Sequence, residues 1–227
     1  REHVHATFFI IGGNAEANPG LVQRELAEGH EIGNHTYTHP NLADTPAEAV
    51  TLELNATQRL FEALTGRSLR LFRPPYLGDA EPTDDDEIIP VEVAQNMGYI
   101  PVGEHVDPLD WALPGADKIT KDALTQIHAV KPNMPRNIVL LHDAGGDRSE
   151  TVEALPGLIE KLKAQGYKFV TVSKLAGLTP EEAMPELPPT MALLTDRVVF
   201  MAMSFTGHTL YILFLAAIGL GIARLFF

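Results

Sequence analysis

Short apolar runs rich in β-branched and aromatic residues alternate along this chain with longer segments of helical period. "ATFFII" (residues 6–11) leads into "PGLVQRELAEG" (19–29), where Pro19 suits a first helical turn and Gly29 a C-terminal cap. "HEIGNH" (30–35) then reads as a short strand. The clearest helix is "TPAEAVTLELNATQRLFEALTG" (45–66): Thr45 and Glu48 have capping-box spacing, Pro46 takes the first position, and Leu52, Leu60 and Leu64 help build an apolar face ended by Gly66. "LRLF" (69–72) follows, then the loop "RPPYLGD" (73–79). Two more rounds complete the pattern: strand "YIPVGEHV", helix "ITKDALTQIHAV", strand "NIVLLHD", helix "ETVEALPGLIEKLKAQG", strand "YKFVTV". Such alternation predicts an α/β domain of mostly parallel strands with crossover helices, either a barrel or an open doubly wound sheet.

Charge and composition exclude some functions. The 227 residues carry a formal net charge of −13, with no basic run or stripe, so nucleic acid is not an expected partner. Cysteine is absent, which removes disulfides, thiolate metal sites and a cysteine nucleophile. The acidic run "DAEPTDDDE" (79–87) reads as a solvated loop. "TPEEAMPELPPT" (179–190), rich in proline and glutamate, reads as part of a linker over residues 179–204. Beyond it "GHTLYILFLAAIGLGIARLFF" (207–227) is long and apolar enough for a transmembrane helix over residues 205–227.

The unusual polar residues fall at one kind of place. His35 and His39, Arg73, Asp107, Asp110 with Trp111, and His142 all come at or just after the C-terminal end of a predicted strand. In parallel α/β folds that edge assembles active sites. Each residue alone also suits a plainer role: a capped core histidine, a surface ion pair, turn residues around Pro108. Residues 35 and 39, one helical turn apart, share a face on which two imidazoles can reach one zinc.

"HTYTHP", "RPPY", "DPLDW" and "LLHD", in this order after "ATFF", resemble the second to fifth motifs of the polysaccharide deacetylases, the NodB-like carbohydrate esterase family 4. The resemblance covers about residues 4–178 and sets a deacetylase domain at 1–178. It implies a distorted (β/α) barrel that removes N- or O-acetyl groups from chitin oligomers, peptidoglycan or related polysaccharides. The implied cofactor is a divalent metal, usually zinc, with Co²⁺, Ni²⁺ or Mn²⁺ as alternatives.

Carried over residue by residue, the resemblance makes His35 and His39 two of three metal ligands. It makes His142 the general acid, held in its charged form by Asp107, and the Tyr76 backbone N–H an oxyanion donor. Arg73 orients the catalytic base, while Trp111 and Leu140, near Asp110, wall the acetate pocket. The family's first motif, a strand ending Thr-Phe-Asp-Asp-Gly-Pro that supplies the base and the third ligand, is absent from its expected place before "ATFF".

Two readings follow. In one, the chain is an N-terminally truncated piece, inactive alone and lacking its first strand, from a membrane-attached protein whose deacetylase domain is extracytoplasmic. Members with this tail layout resemble fusions with a membrane glycosyltransferase. In the other, a domain without its base binds glycan and does not turn it over.

Overall fold

The computed structural model describes residues 2–76, 85–129 and 137–223. In chain order these form β1 (Thr7–Ile10), α1 (Gly12–Ala17), α2 (Pro19–Ala27), β2 (Glu31–Asn34), α3 (Ala47–Thr65), β3 (Leu71–Phe72), α4 (Asp85–Asn96) and β4 (Ile100–Pro101). There follow α5 (Ala116–Ala129), α6 (Ser149–Ala164), α7 (Val172–Ala176), α8 (Pro180–Ala183) and α9 (Met191–Ala223). The strands make one parallel sheet in the order β1-β2-β3-β4. A single parallel bridge between Val106 and Val139 carries the arc onward. All the helices that the sequence predicts form; the later strands are much reduced. "NIVLLHD" contributes only the Val139 bridge, and residues 167–171 form no ladder. A strand is fixed by its neighbour's backbone, so an apolar run without a paired partner stays irregular.

The sheet is tightly crossed at β2. A Cβ on Gly33 would lie 2.5 Å from the Phe9 ring and 3.2 Å from the Leu71 carbonyl, so only glycine lets β2 pass between β1 and β3. Behind the sheet, α3 buries Val50, Leu54, Leu60 and Phe61 against Ile32 and Phe72. Leu52 is not on that face and is 69% exposed, because the buried stripe runs through positions 50, 54, 57 and 61. Gly66 caps the helix at φ 74° as expected, but the capping box does not form. The Thr45 hydroxyl is instead donated to the Asn41 carbonyl at 2.7 Å. A second core, Ala123 and Ile127 of α5 with Leu158 and Leu162 of α6, closes over Val106 and Val139. Residues 79–84 of the expected acidic loop lie outside the described residues, whereas Asp85, Asp86 and Glu87 open α4, where carboxylates complement the helix dipole.

The segment expected as a linker is packed on the domain. Ala183 and Met184 are buried, Ser68 and Arg70 donate to the carbonyls of Pro185 and Ala183 (both 3.0 Å), and Arg67 pairs with Glu186 in an antiparallel bridge. The first turns of α9 then dock on α3. Arg59 forms an ion pair with the buried Asp196, Arg197 donates to the Ala63 carbonyl at 2.9 Å, and Phe200 touches the core. Proline spacing disguises these contacts in the sequence, since an extended Pro-rich strip can pack as well as dangle. Further on, α9 exposes Met201, Phe205, Leu213 and Phe214, and over Met191–Ile218 it is long and apolar enough to cross a membrane.

One half-buried acid tunes stability. The Oε2 of Glu25 on α2 is buried without a hydrogen-bond partner; burial first, and then the charge of Asp143, push this carboxyl up to about 7, against the opposing pull of Arg24. The folded value exceeds the unfolded one, so the stability this group lends is complete below the ordinary carboxylate range and is lost as pH rises through 7. Glu25→Gln should therefore raise the melting temperature at pH 8, by the equivalent of about 2 kcal/mol. At pH 4 it should change little. Thermal denaturation at the two pH values checks this, and equal shifts at both would refute it.

Candidate active site

The site lies beyond the C-terminal ends of β2, β3 and β4, at the edge the sequence indicates. Asn34, wholly buried at the end of β2, donates its amide to the Leu54 carbonyl (3.0 Å) and the Tyr99 hydroxyl (2.9 Å) and accepts from the Thr36 N–H (2.9 Å). From there the chain turns through "HTYTH" without forming a helix. Thr36 and His39 sit at φ 67° and 61°, in the left-handed region that non-glycine residues enter at a cost. Three bonds from Tyr37 N–H, Thr38 N–H and the Thr38 hydroxyl to the Glu53 carboxylate of α3, all 2.7–2.8 Å, hold this turn. The helical-turn argument for the histidine pair is thus replaced by another geometry with the same outcome. The rings of His35 and His39 meet edge to face with centroids 4.9 Å apart.

Both imidazoles suit a metal. His35 Nδ1 lies 2.7 Å from the Arg73 carbonyl oxygen, a contact that is a hydrogen bond only when Nδ1 carries the proton. The lone pair is therefore on Nε2. Burial above all, opposed by that bond to Arg73, pushes the His35 imidazole down to about 3, and His39 is likewise lowered, chiefly by burial. Neutral, tautomer-fixed imidazoles backed by a carbonyl are the usual form of histidine ligands. Among the described residues no group of three His, Cys, Asp or Glu side chains converges on one ion position.

Tyr76, at φ 63° and 72% exposed, lays its ring against His39 with centroids 4.9 Å apart. The residues that follow it in the expected loop, 77–79, lie outside the described residues. Arg73 does two things here. Its carbonyl fixes His35, and its guanidinium forms a buried ion pair with Glu104, two residues after Val102 on the β4 side.

The acid candidate is held differently from the expectation. His142 donates its backbone N–H to Asp110 Oδ2 and, through Nδ1, a ring hydrogen to Asp110 Oδ1, both at 2.8 Å. Asp107 does not meet His142. Its carboxylate accepts the Leu109 N–H at 2.8 Å and closes a turn, while its backbone is bound to Gln126. The partner of His142 is thus Asp110, wholly buried, rather than Asp107. In the sequence either aspartate fits, because a three-residue offset is settled only by how the turn folds. Here Leu109 and Leu113, both at φ 54°, bracket a tight turn at Asp110–Ala112 that points Asp110 inward. Burial by itself would push the Asp110 carboxyl up; hydrogen bonds from the His142 ring and backbone and from Thr151 outweigh it and hold it below its ordinary range. Trp111 is half exposed beside Asp110, and Leu140, partly buried, bonds through its N–H to the Val106 carbonyl at 2.9 Å.

Glu53, Glu104 and Thr151 contact the candidate-site residues and are not found by motif reading. Glu104, a charged residue just past a strand end, carried a usable signal; Glu53 and Thr151 sit at unremarkable helix positions.

A sequence model of the polysaccharide deacetylases matches residues 1–101. The peptidoglycan-N-acetylglucosamine deacetylase of Bacillus cereus is 42% identical over 174 residues, covering 75% of this chain and 74% of that protein. The chitooligosaccharide deacetylase of Azorhizobium caulinodans is 34% identical over 180 residues, covering 74% and 80% respectively. The chain spans 34% of the length of the Listeria monocytogenes deacetylase PgdA, which it also matches. Among solved structures, a peptidoglycan N-acetylglucosamine deacetylase in complex with 4-naphthalen-1-yl-N-oxidanyl-benzamide superposes with a TM-score of 0.69 at 32% identity, covering 79% of this chain and 78% of that one. A CE4 family pseudoenzyme from Bacillus anthracis superposes with a TM-score of 0.64 at 32% identity, covering 76% and 55%.

Proposed function

The chain belongs to the polysaccharide deacetylase family, and on that premise we propose that it hydrolyses acetamides on an N-acetylated cell-wall or chitin-like polysaccharide. The observation that carries this reading is that a neutral histidine pair and the bond of His142 to the buried Asp110 lie at one sheet edge, close enough for His142 to act electrostatically on both His35 and His39. Water adds to the acetyl carbon, the C–N bond breaks, and acetate and a free amine leave. His35 and His39 would hold a divalent metal, for which we propose zinc. When bound, the metal polarises the acetyl carbonyl and lowers the pKa of a water.

The protein's own groups do the rest. With Nδ1–H directed at Asp110, His142 presents Nε2 for proton delivery to the leaving amine. The Asp110 carboxylate accepts both the ring and the backbone hydrogen of His142 and so fixes the ring's direction. The Tyr76 backbone N–H is assigned to the oxyanion, a donor of a kind worth about 3 kcal/mol elsewhere. Trp111 and Leu140 are assigned to the acetate methyl, and Arg73 acts on His35 through its carbonyl.

The apolar stretch of α9 beyond Phe200 is assigned to a membrane, with the domain on the outer face where such polymers lie. The docking of Asp196 and Arg197 on α3 supports holding the domain close to that surface.

A second reading, glycan binding without turnover, is favoured because, among the described residues, no third His, Cys, Asp or Glu joins the histidine pair in a group that could hold a metal. Acetate release from N-acetylated chitooligosaccharide or peptidoglycan, with and without added zinc, decides between them. Zinc-dependent acetate, from this chain or from it preceded by a strand that supplies the base and third ligand, supports the deacetylase; saturable glycan binding with no acetate from either supports the second reading.

A further inference from the structure

The first turn of α6 joins the loops that carry the Asp110–His142 pair. Thr151, 3% exposed, donates its hydroxyl to Asp110 Oδ2 at 2.8 Å. Glu150, beside it, accepts the Gly115 N–H at 2.6 Å, at the far end of the Asp110–Ala112 turn. Arg148 donates to the carbonyls of Ala144 (2.8 Å) and Gly145 (2.9 Å), just past His142, and to that of Trp111 (3.2 Å). Three side chains within four residues therefore tie together both loops of the site.

We propose that Thr151, supported by Arg148, is a positioning residue that sets the plane of the Asp110 carboxylate and thereby the ring of His142. The inference rests on the reading of His142 as the general acid. Its physical basis is that the two other bonds to Asp110 both come from His142 itself. Without a third, the aspartate and histidine could swing as a unit, since the carboxylate torsion is broad and two-fold. Thr151 belongs to a helix rooted in the second core by Leu158 and Leu162, so its bond fastens the pair to rigid structure. A β-branched side chain has few rotamers, and this one aims its hydroxyl at Asp110 in place of its own helix's carbonyls. The strained turn between Leu109 and Leu113 needs such an outside hold, because two left-handed non-glycine residues favour relaxation.

The test uses the full chain with ¹⁵N-histidine, loaded with zinc. The His142 Nδ1–H resonance, assigned by its loss in His142→Gln, is followed by NMR in the wild type, Thr151→Ser and Thr151→Val, alongside melting curves and acetate release. Thr151→Ser should keep the resonance. Thr151→Val should lose it to exchange while remaining folded, with kcat falling at least about 10-fold and KM little changed. A sharp resonance and unchanged kcat in Thr151→Val would overturn the proposal, as would equal loss in the serine variant. If the valine variant does not fold, Arg148→Met replaces it: broadening of the same resonance supports the proposal and an unaltered one refutes it. A wild type that shows the resonance but releases no acetate, alone or preceded by a strand that supplies the base and third ligand, sinks the deacetylase reading alone, because the NMR comparison still reports on positioning.

Discussion

His35→Ala is expected to lower the affinity for zinc by at least about 10²-fold and to take acetate release with it. Loss of a residue that merely backs a metal ligand already costs 10–100-fold, and removal of the ligand itself costs more. On the proposed reading His35 takes the larger share of the pair's work. Its Nε2 lone pair is fixed by the Nδ1 bond to the Arg73 carbonyl, and its imidazole stays neutral well into acid, so zinc meets little proton competition there. His39 stands on a left-handed residue and is steadied by its contact with Tyr76. Its alanine variant should lose affinity too. The measurement is competition against a chelating dye at pH 7, paired with acetate release. Unchanged zinc affinity in His35→Ala would remove the pair from the metal site altogether.

Asp110→Asn should reduce kcat by about 10²- to 10⁴-fold, the range usual for loss of a positioned acid–base group, with zinc affinity preserved. Asparagine has the shape of aspartate but not its acceptors. One of its two terminal atoms must be an NH₂, which cannot accept from the His142 ring, the His142 N–H or the Thr151 hydroxyl. A buried donor would face a donor, at a stability cost of about 1–3 kcal/mol. The wild-type Asp110 also has a pH signature. Its carboxyl is depressed in the folded state, so its contribution to stability is present above the ordinary carboxylate range and is lost as pH falls through the folded value. Melting curves from pH 7 down to pH 3 should therefore converge for wild type and Asp110→Asn. Asp107→Asn is the matched control. Its carboxylate closes a local turn on the Leu109 N–H, which the asparagine carbonyl can also accept, so kcat should stay within about 2-fold. The opposite ranking of the two variants would restore Asp107 as the partner of His142.

The fold and the edge where the site lies were legible in the sequence for one physical reason. Alternating apolar runs and helical periods are local properties, and a parallel arrangement of them puts strand C-termini together whatever the loops do. His35, His39, Arg73 and His142 could be picked out because rare polar residues at such ends are conspicuous, and the order of the four motifs named their family. What could not be read were relations set by loops and by distant backbone. The choice of Asp110 over Asp107 depends on two left-handed leucines. The approach of His35 to His39 depends on a non-helical turn held by Glu53, sixteen residues from Tyr37.

The same division explains the strip after residue 178. Its prolines and glutamates spoke for a tether, yet Met184 is buried, its sulfur accepts the Ile32 N–H of β2, and Asp196 is held by Arg59. The sequence by itself determined which elements form and which residues could do chemistry, because periodicity and side-chain type are carried by neighbours along the chain. Only the tertiary structure decided which carboxylate holds His142 and what the tail rests on, because hydrogen bonds of 2.8 Å are settled by positions that dozens of intervening residues fix together.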